Sequence, residues 1–201
     1  TTGLNASRSG FSTSEKRIKG LALVEFPANN ADTAKTKIWQ HPSWTKFGYM
    51  GSITTDENGN VYTVPVPVIN VLDNPVKKQN IVYKVFSLSG EMKALVDLST
   101  DIKPGNTNPF GLLGIFYDCH GKKLYASTVS GSTKESEQGI IYSVDPADGK
   151  ITDKLIGNDA LALCVGGFTG KKRLYFGSSR TSDVFSVELT KEGKFKGHLK
   201  K

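Results

Sequence analysis

Residues 121–151 read GKKLYASTVSGSTKESEQGIIYSVDPADGKI, and this stretch decides the fold. It opens on a glycine turn, continues into an apolar run around Leu124 and Tyr125, and crosses a loop to a second apolar run at 140–144. An Asp-Pro-x-x-Gly sequence follows at 145–149, in which proline presets φ and glycine accepts a positive φ. Short runs rich in β-branched and aromatic residues between such turns predict β-strands.

The same pattern occurs twice more along the chain. A turn glycine stands shortly before an apolar-Tyr pair at Val61-Tyr62 and at Leu174-Tyr175, as it does at Leu124-Tyr125. An apolar stretch precedes each pair, so each is predicted to form a strand–turn–strand hairpin. A second apolar run with its own turn follows each hairpin. The three preceding stretches are 53–55, 112–117 and 161–165.

Four short antiparallel strands joined as a meander form the blade of a β-propeller. No segment shows sustained helical periodicity, which argues against an α/β fold. We therefore predict an all-β fold, a β-propeller of four-stranded antiparallel blades with about fifteen short strands. Tyr62, Tyr125 and Tyr175 should then occupy equivalent positions in successive blades.

The repeat sets the predicted domain organisation. Blades are expected at about residues 49–99, 111–157 and 159–199, and a partial blade occupies 1–40, with strands at 4–7 and 20–27. Closed propellers have four to eight blades, and the irregular spacing and long loops here are typical of six-bladed rings. Residues 1–201 therefore form one propeller domain or a portion of one, with about four blades present. In a portion, the remaining blades are partners of this chain; the alternative is a small ring completed by a strand from elsewhere.

Two segments carry a resemblance to a known superfamily. Residues 56–62, with the pattern Asp-x-x-Gly-x-x-Tyr, and residues 139–150 resemble blades of NHL-repeat and gluconolactonase-like six-bladed propellers. The resemblance implies a divalent ion held at the axis by Glu, Asn and Asp on the innermost strands. At the matching strand beginnings, 51–53, 111–113 and 159–161, only Asp159 is of ligand type, and one carboxylate does not make a calcium or magnesium cage. We therefore expect no metal site and no cofactor, with a divalent cation left open, and carry over no hydrolytic chemistry.

The charge of the chain limits which classes of partner are expected. The net charge of +7 comes from 26 basic residues of which only four are arginine, whereas nucleic-acid readers favour arginine, so nucleic acid is not expected. No apolar run reaches the ~20 residues of a membrane span.

Cys119 and Cys164 lie at a hairpin and inside a strand, so we expect no disulfide between them and a buried Cys164. The compartment stays open, with an extracytoplasmic or secreted location favoured.

The connections of a meander divide between two faces of a propeller. The long connections, at 41–50, 65–80, 100–110 and 130–138, all emerge on one face, whereas the turns on the other face are short and rich in lysine. Long loops without their own regular structure are uncommon unless they are functional. The long-loop face is therefore the predicted ligand side.

Seven residues beside the innermost strands are candidates for ligand binding: His41, Trp44, Phe47, Tyr49, Asn108, Phe110 and Asp159. Trp44 and Phe110 would supply apolar walls, and Asn108 and Asp159 would orient a ligand. The alternatives are that the aromatic residues at 41–49 pack between neighbouring blades and that the asparagines at 106 and 108 form turns.

No catalytic set is recognisable. The chain has no Ser-His-Asp arrangement, phosphate-binding glycine loop or HExxH helix, so we expect no catalytic residues and lean against an enzyme. The predicted function is a non-catalytic scaffold that binds a small molecule, a glycan or a protein segment on the long-loop face. Two alternatives remain, a divalent-metal-dependent lactonase-like hydrolase and a structural interaction module.

Overall fold

A computed structural model describes residues 2–13, 18–28, 36–67, 72–101, 108–168 and 170–201. These residues form four β-sheets. Sheet I has three strands, β1 (Ser9–Thr13), β2 (Leu21–Glu25) and β3 (Lys37–Trp39). Sheet II has β4 (Met50–Thr55), β5 (Val61–Pro65), β6 (Ile81–Val85) and β7 (Met92–Asp97). Sheet III has β8 (Leu112–Asp118), β9 (Lys123–Thr128), β10 (Ile140–Val144) and β11 (Ile151–Ile156), and sheet IV has β12 (Ala160–Gly166), β13 (Arg173–Ser178), β14 (Val184–Leu189) and β15 (Phe195–Lys200).

Every sheet is an antiparallel meander of consecutive strands, which confirms the all-β prediction. The helices of the described ranges are short 3-10 turns at Ala6–Arg8, Trp44–Phe47, Val76–Lys78 and Ser99–Asp101. None of them approaches the length and apolar content that a bilayer-crossing helix requires.

The predicted strand at residues 4–7 is wrong. The Asn5 side chain accepts a hydrogen bond from the backbone N–H of Ser7 and caps the 3-10 turn Ala6–Arg8, so the first strand begins only at Ser9. Short polar side chains compete with strand pairing in this way because they bond to their own backbone.

The sheets stack in chain order, and an apolar cluster fills each boundary. Sheets I and II share a cluster around Leu21, Trp44 and Met92; sheets II and III share one around Tyr62 and Tyr142. Sheets III and IV share a third cluster. The first strands of three successive sheets are neighbours, since β8 contacts both β4 and β12. This arrangement fits successive blades of a propeller.

The register of the strands confirms the predicted equivalence of the three tyrosines. Each lies on the second strand of its sheet, and Tyr62, Tyr125 and Tyr175 pair with Lys84, Ser143 and Ser186 of the third strand. Tyr62 and Tyr125 are completely buried, whereas Tyr175 is 36% exposed. The repeat is therefore structural, and its third copy, in sheet IV, has a different environment.

The Asp-x-x-Gly-x-x-Tyr pattern describes a turn. Gly59 has φ +76, which favours glycine, and the Asp56 carboxylate accepts hydrogen bonds from the side chains of Asn60 and Tyr62 at 2.8 and 2.9 Å. Burial acts to raise the pKa of the Asp56 carboxyl, but these hydrogen bonds outweigh it and hold the pKa below its ordinary value. The motif thus closes the β4–β5 hairpin.

The two cysteines are free, as predicted, but the expected burial of Cys164 is wrong. Cys164 pairs in register with Tyr175, and both residues are exposed on the side of sheet IV that faces away from sheet III. The strand pattern predicted a covered strand, because it assumed that both sides of each sheet are packed.

Candidate functional site

A cavity of about 620 Å³ lies between sheets III and IV on the predicted ligand side. Four connections surround it: the segment before β8, the β9–β10 loop, the segment before β12 and the β13–β14 loop. The first two belong to the long connections at 100–110 and 130–138, and the other two are the corresponding connections of sheet IV. We refer to this space as the loop-side cavity.

The walls of the loop-side cavity are largely apolar. Phe110 and Leu161 line it and remain 43% and 48% exposed, and the better-buried Leu113 and Val129 complete the surface. Two large apolar side chains open to solvent within one concavity offer a contact surface for a ligand. They come from neighbouring sheets, so the surface depends on sheet stacking.

Asp159 organises the polar wall. Its side chain is almost fully buried, and its Oδ1 accepts hydrogen bonds from the Ser132 hydroxyl and from the Gly139 backbone N–H, the latter at 3.0 Å. The Ser132 hydroxyl in turn accepts the backbone N–H of Gln138 at 2.9 Å. Asp159 therefore ties the start of β12 to both ends of the β9–β10 loop.

Arg180 completes this polar cluster from the β13–β14 loop. Its Nε donates to Asp159 Oδ2 at 3.0 Å, and its Nη atoms donate to the backbone carbonyls of Lys134 at 3.1 Å, Ser136 at 2.8 Å and Thr133. The planar guanidinium can satisfy several acceptors at once, which a lysine ammonium does less well. We refer to Arg180, Asp159 and the loop carbonyls at 133, 134 and 136 as the arginine clamp.

Asn108 and Phe110 occupy one short segment before β8. The Asn108 side chain donates to the Val129 carbonyl at 2.8 Å and accepts the Phe110 backbone N–H at 3.0 Å. Asn108 is thus a turn former that also straps the segment to sheet III. This strap holds Phe110 in place at the cavity.

Trp44 does not line the cavity. It is 1% exposed, its indole N–H donates to the Gly90 carbonyl at 2.7 Å, and its ring packs edge-on against Trp39 at 5.2 Å. Gly90 lies in the short β6–β7 turn, one of the turns on the other face. This placement is that of an aromatic residue packed between sheets I and II, and Trp44 cannot supply a wall for a ligand.

The other three candidates from residues 41–49 also lie apart from the cavity. His41 Nδ1 shares a hydrogen bond of 2.7 Å with the Ser43 hydroxyl. Phe47 packs on Tyr83 with ring centroids 4.9 Å apart. The buried Asn74 side chain holds the backbone of Tyr49 by two hydrogen bonds, at 2.7 and 2.9 Å. The structure therefore brings together Asn108, Phe110 and Asp159 but not the four residues at 41–49; Asn106 lies outside the described residues.

Sequence reasoning missed Arg180, Ser132 and Leu161. Alignment of the repeats could have indicated two of them, because Arg180 and Ser132 lie in corresponding loops, after the second strands of sheets IV and III. Their pairing across two loops has no local signature in the sequence.

A smaller cavity of about 160 Å³ lies among the short turns between the same two sheets. Its lining includes Asp118, His120 and Lys172, and the Lys172 ammonium donates to both carboxylate oxygens of Asp118 at 2.7 and 2.6 Å. Lys172 and Asp118 are thereby paired with each other across the boundary of sheets III and IV. The pair acts as a structural bridge.

The residue ranges that the structure describes place few metal-ligating side chains close together. Within those ranges no three His, Cys, Asp or Glu side chains are grouped to hold a metal ion. The carboxylate of Asp159, the ligand-type residue at the strand beginnings, already accepts hydrogen bonds from Arg180, Ser132 and Gly139. A guanidinium bound to a carboxylate opposes the approach of a cation.

The residues around the loop-side cavity do not by themselves name a family, because propeller-like sheets support many unrelated activities. The Asp-x-x-Gly-x-x-Tyr pattern describes a hairpin turn, and the arginine clamp is built from loop backbone. No known protein-family model matches the chain, and no curated protein is significantly similar to it in sequence.

Proposed function

We propose that this chain forms about four blades of a six-bladed propeller of the kind found in NHL-repeat and gluconolactonase-like proteins, and that it acts as a non-catalytic binding scaffold. The ligand is a small molecule, a glycan or a protein segment, and it binds in the loop-side cavity. Each sheet contributes a rigid wall, and the loops between strands supply the specificity.

One observation supports this proposal above the others. Phe110 and Leu161 stand half-exposed in one concavity, beside a polar cluster whose groups are already hydrogen-bonded to each other. Side chains held in place before a ligand arrives lose little conformational entropy on binding. Such a site is suited to recognition, because apolar contact drives affinity and fixed polar groups orient the ligand.

The electrostatics of the cavity favour a ligand without strong net charge. The Arg180 charge is offset by Asp159 at 3.0 Å, and the rim carries one lysine and one glutamate, Lys134 and Glu135. An apolar face that stacks on Phe110, such as a sugar ring or an aromatic ring, fits this surface best.

The proposal is tested with a ligand screen followed by one substitution. Small molecules, oligosaccharides and peptides are screened against the protein by thermal shift, and hits are titrated by calorimetry. Phe110→Ala is expected to reduce the binding free energy of a ligand in this cavity by about 1–3 kcal/mol, the usual effect of losing an aromatic anchor. Phe26→Ala is the matched control, because Phe26 is 56% exposed and lies outside the cavity. Equal losses in both variants would remove the cavity as the binding site.

A second titration separates binding from hydrolysis. Calcium, magnesium and zinc are titrated into the protein, and lactone hydrolysis is assayed in parallel. If the protein is a non-catalytic scaffold, we expect no stoichiometric metal binding and no lactone turnover. Stoichiometric binding that Asp159→Asn abolishes, together with turnover, would replace the scaffold with a metal-dependent hydrolase.

A further inference from the structure

The short turns of sheets II, III and IV differ in charge. In each of these sheets one turn joins the first and second strands, and another joins the third and fourth. The six turns are residues 56–60 and 86–91, 119–122 and 145–150, and 167–172 and 190–194. In sheet II they hold three acidic residues and no basic one, a net charge of −3, and in sheet III two lysines cancel two aspartates. In sheet IV four lysines stand against one glutamate, a net charge of +3, so positive charge on this face is concentrated at sheet IV.

Most lysines of the sheet IV turns have no acidic partner. Lys172 forms a salt bridge of 2.6 Å with Asp118 of sheet III, and Arg173 forms one of 3.1 Å with Glu188. In the part of the chain that the structure describes, four exposed lysines of this region form no such pair: Lys171, Lys191, Lys194 and Lys196. Three of the four line one groove of about 680 Å³ beside the two turns. Their charges are therefore available to an anionic partner.

Hydrogen bonds hold the backbone of both turns in place. The Lys171 backbone N–H donates to the Phe168 carbonyl at 2.8 Å and closes the β12–β13 turn. In the β14–β15 turn, the Gly193 carbonyl accepts the hydroxyls of Tyr125 and Ser143, both of sheet III, at 3.0 and 2.9 Å. The lysines thus extend from fixed backbone positions.

A large apolar side chain stands beside these lysines. Phe168 lies in the β12–β13 turn and is 87% exposed. Side chains in such turns stay open to solvent even where another sheet follows, because Leu88, in the β6–β7 turn, is fully exposed although sheet III packs on sheet II. Phe168 is therefore placed to enter a partner that meets the short-turn face.

We propose that Phe168 and the four unpaired lysines form a docking surface for a lipid bilayer with anionic headgroups. We refer to these five residues as the basic patch. An ammonium group is a point charge that requires no fixed bidentate geometry, so lysines suit a mobile array of headgroups. Each lysine close to such a surface strengthens binding about fivefold. An aromatic ring partitions into the interfacial region, where Phe168 would add apolar contact.

The charge distribution also sets the orientation at the bilayer. The acidic turns of sheet II lie on the same face and are repelled by anionic headgroups, so sheet IV approaches the surface first. The loop-side cavity lies on the opposite face. The basic patch therefore does not depend on the ligand site proposed above.

Vesicle cosedimentation tests the lysines. The protein is mixed with vesicles of phosphatidylcholine, alone or with about 30% phosphatidylserine, at an ionic strength of about 0.1 M. Binding is expected only to the vesicles with phosphatidylserine, and Lys171→Glu/Lys194→Glu should lower the partition coefficient at least about tenfold. Lys46→Glu/Lys77→Glu is the matched control, because it changes the net charge equally at two exposed residues outside the basic patch. Equal binding to both kinds of vesicle, or equal losses in the two double variants, overturns the proposal.

Phe168 distinguishes a bilayer from a soluble acidic polymer. Phe168→Ala is expected to lower the partition coefficient about fivefold, whereas Leu88→Ala, at an exposed residue of the acidic sheet II turns, leaves it unchanged. In vesicles that contain brominated phosphatidylcholine, Phe168→Trp should show added fluorescence quenching and Leu88→Trp none. An unchanged partition coefficient in Phe168→Ala, or no added quenching, overturns insertion. Binding of polyglutamate that requires Lys171 and Lys194, without binding to vesicles, would make a soluble polymer the occupant and also overturn the proposal.

Discussion

Trp44→Ala is expected to lower the free energy of unfolding by about 3–5 kcal/mol, the usual cost of truncating a fully buried aromatic residue. Trp44 is 1% exposed and packs among the cluster that joins sheets I and II, and its indole N–H bonds the Gly90 carbonyl. The substitution removes both the packing and the hydrogen bond, and it leaves a cavity. Because domains of this size have roughly 5–15 kcal/mol of stability, much of the protein would unfold at modest urea concentrations.

Two variants make the Trp44 result interpretable. Trp44→Phe keeps most of the packing but loses the bond to Gly90, so a loss of about 1–2 kcal/mol is expected. Lys46→Ala changes an exposed residue of the same 3-10 turn and should stay within about 0.5 kcal/mol of the original protein. Urea denaturation monitored by tryptophan fluorescence and circular dichroism measures all three. A stable Trp44→Ala protein with weakened ligand binding would instead return Trp44 to the ligand site.

Arg180→Ala is expected to lower the free energy of unfolding by about 2–3 kcal/mol and to abolish ligand binding in the loop-side cavity. The loss leaves the buried Asp159 carboxylate without its cation, and an uncompensated buried charge is costly. The estimate is below the usual range for a broken buried pair because the Arg180 side chain is 26% exposed. The loop carbonyls at 133, 134 and 136 lose their donors, so hydrogen exchange at residues 133–136 should accelerate.

The arginine clamp has a matched control within the same sheet. Arg173 also pairs with a carboxylate and donates to the Ser186 hydroxyl and carbonyl at 3.0 Å each, but its partner Glu188 is 50% exposed, so Arg173→Ala leaves no buried charge and should cost about 1–2 kcal/mol. Arg180→Lys keeps the charge but not the planar fork, and most of the loss should remain. The double variant Arg180→Ala/Asp159→Asn is expected to lose less than the sum of the single variants, because the two residues are directly coupled. Additive losses would show that Arg180 and Asp159 act independently.

The repeat could be predicted from sequence because its signals are local. A turn glycine, an apolar-Tyr pair and an alternating run each lie within a few residues, and together they located the second strands that carry Tyr62, Tyr125 and Tyr175. Strand pairing then follows from chain order, because short turns can only join neighbours. The first strand was misplaced because a local hydrogen bond, donated by the Ser7 backbone N–H to the Asn5 side chain, overrides strand propensity.

The candidate site was only partly predictable, because loops are long enough to fold in more than one direction. Residues 41–49 were assigned to the ligand face from their place between two strands, but Trp44 packs inward against a turn of the next sheet. Asn108, Phe110 and Asp159 lie just before the first strands of sheets III and IV, so these strands fix their position. Arg180 was missed because the loop carbonyls that it binds are 44–47 residues away in the sequence, beside another sheet.

The most direct test of a ligand site between sheets III and IV is a leucine-methyl NMR titration with a ligand from the screen. Leu113 and Leu161 line the loop-side cavity, whereas the exposed Leu88 and Leu199 lie outside it. A ligand bound in the loop-side cavity is expected to cause saturable shifts of the Leu113 and Leu161 methyl signals, with the dissociation constant found by calorimetry, and to leave the Leu88 and Leu199 signals unchanged. Shifts confined to Leu88 or Leu199, with Leu113 and Leu161 unmoved at saturation, would contradict it.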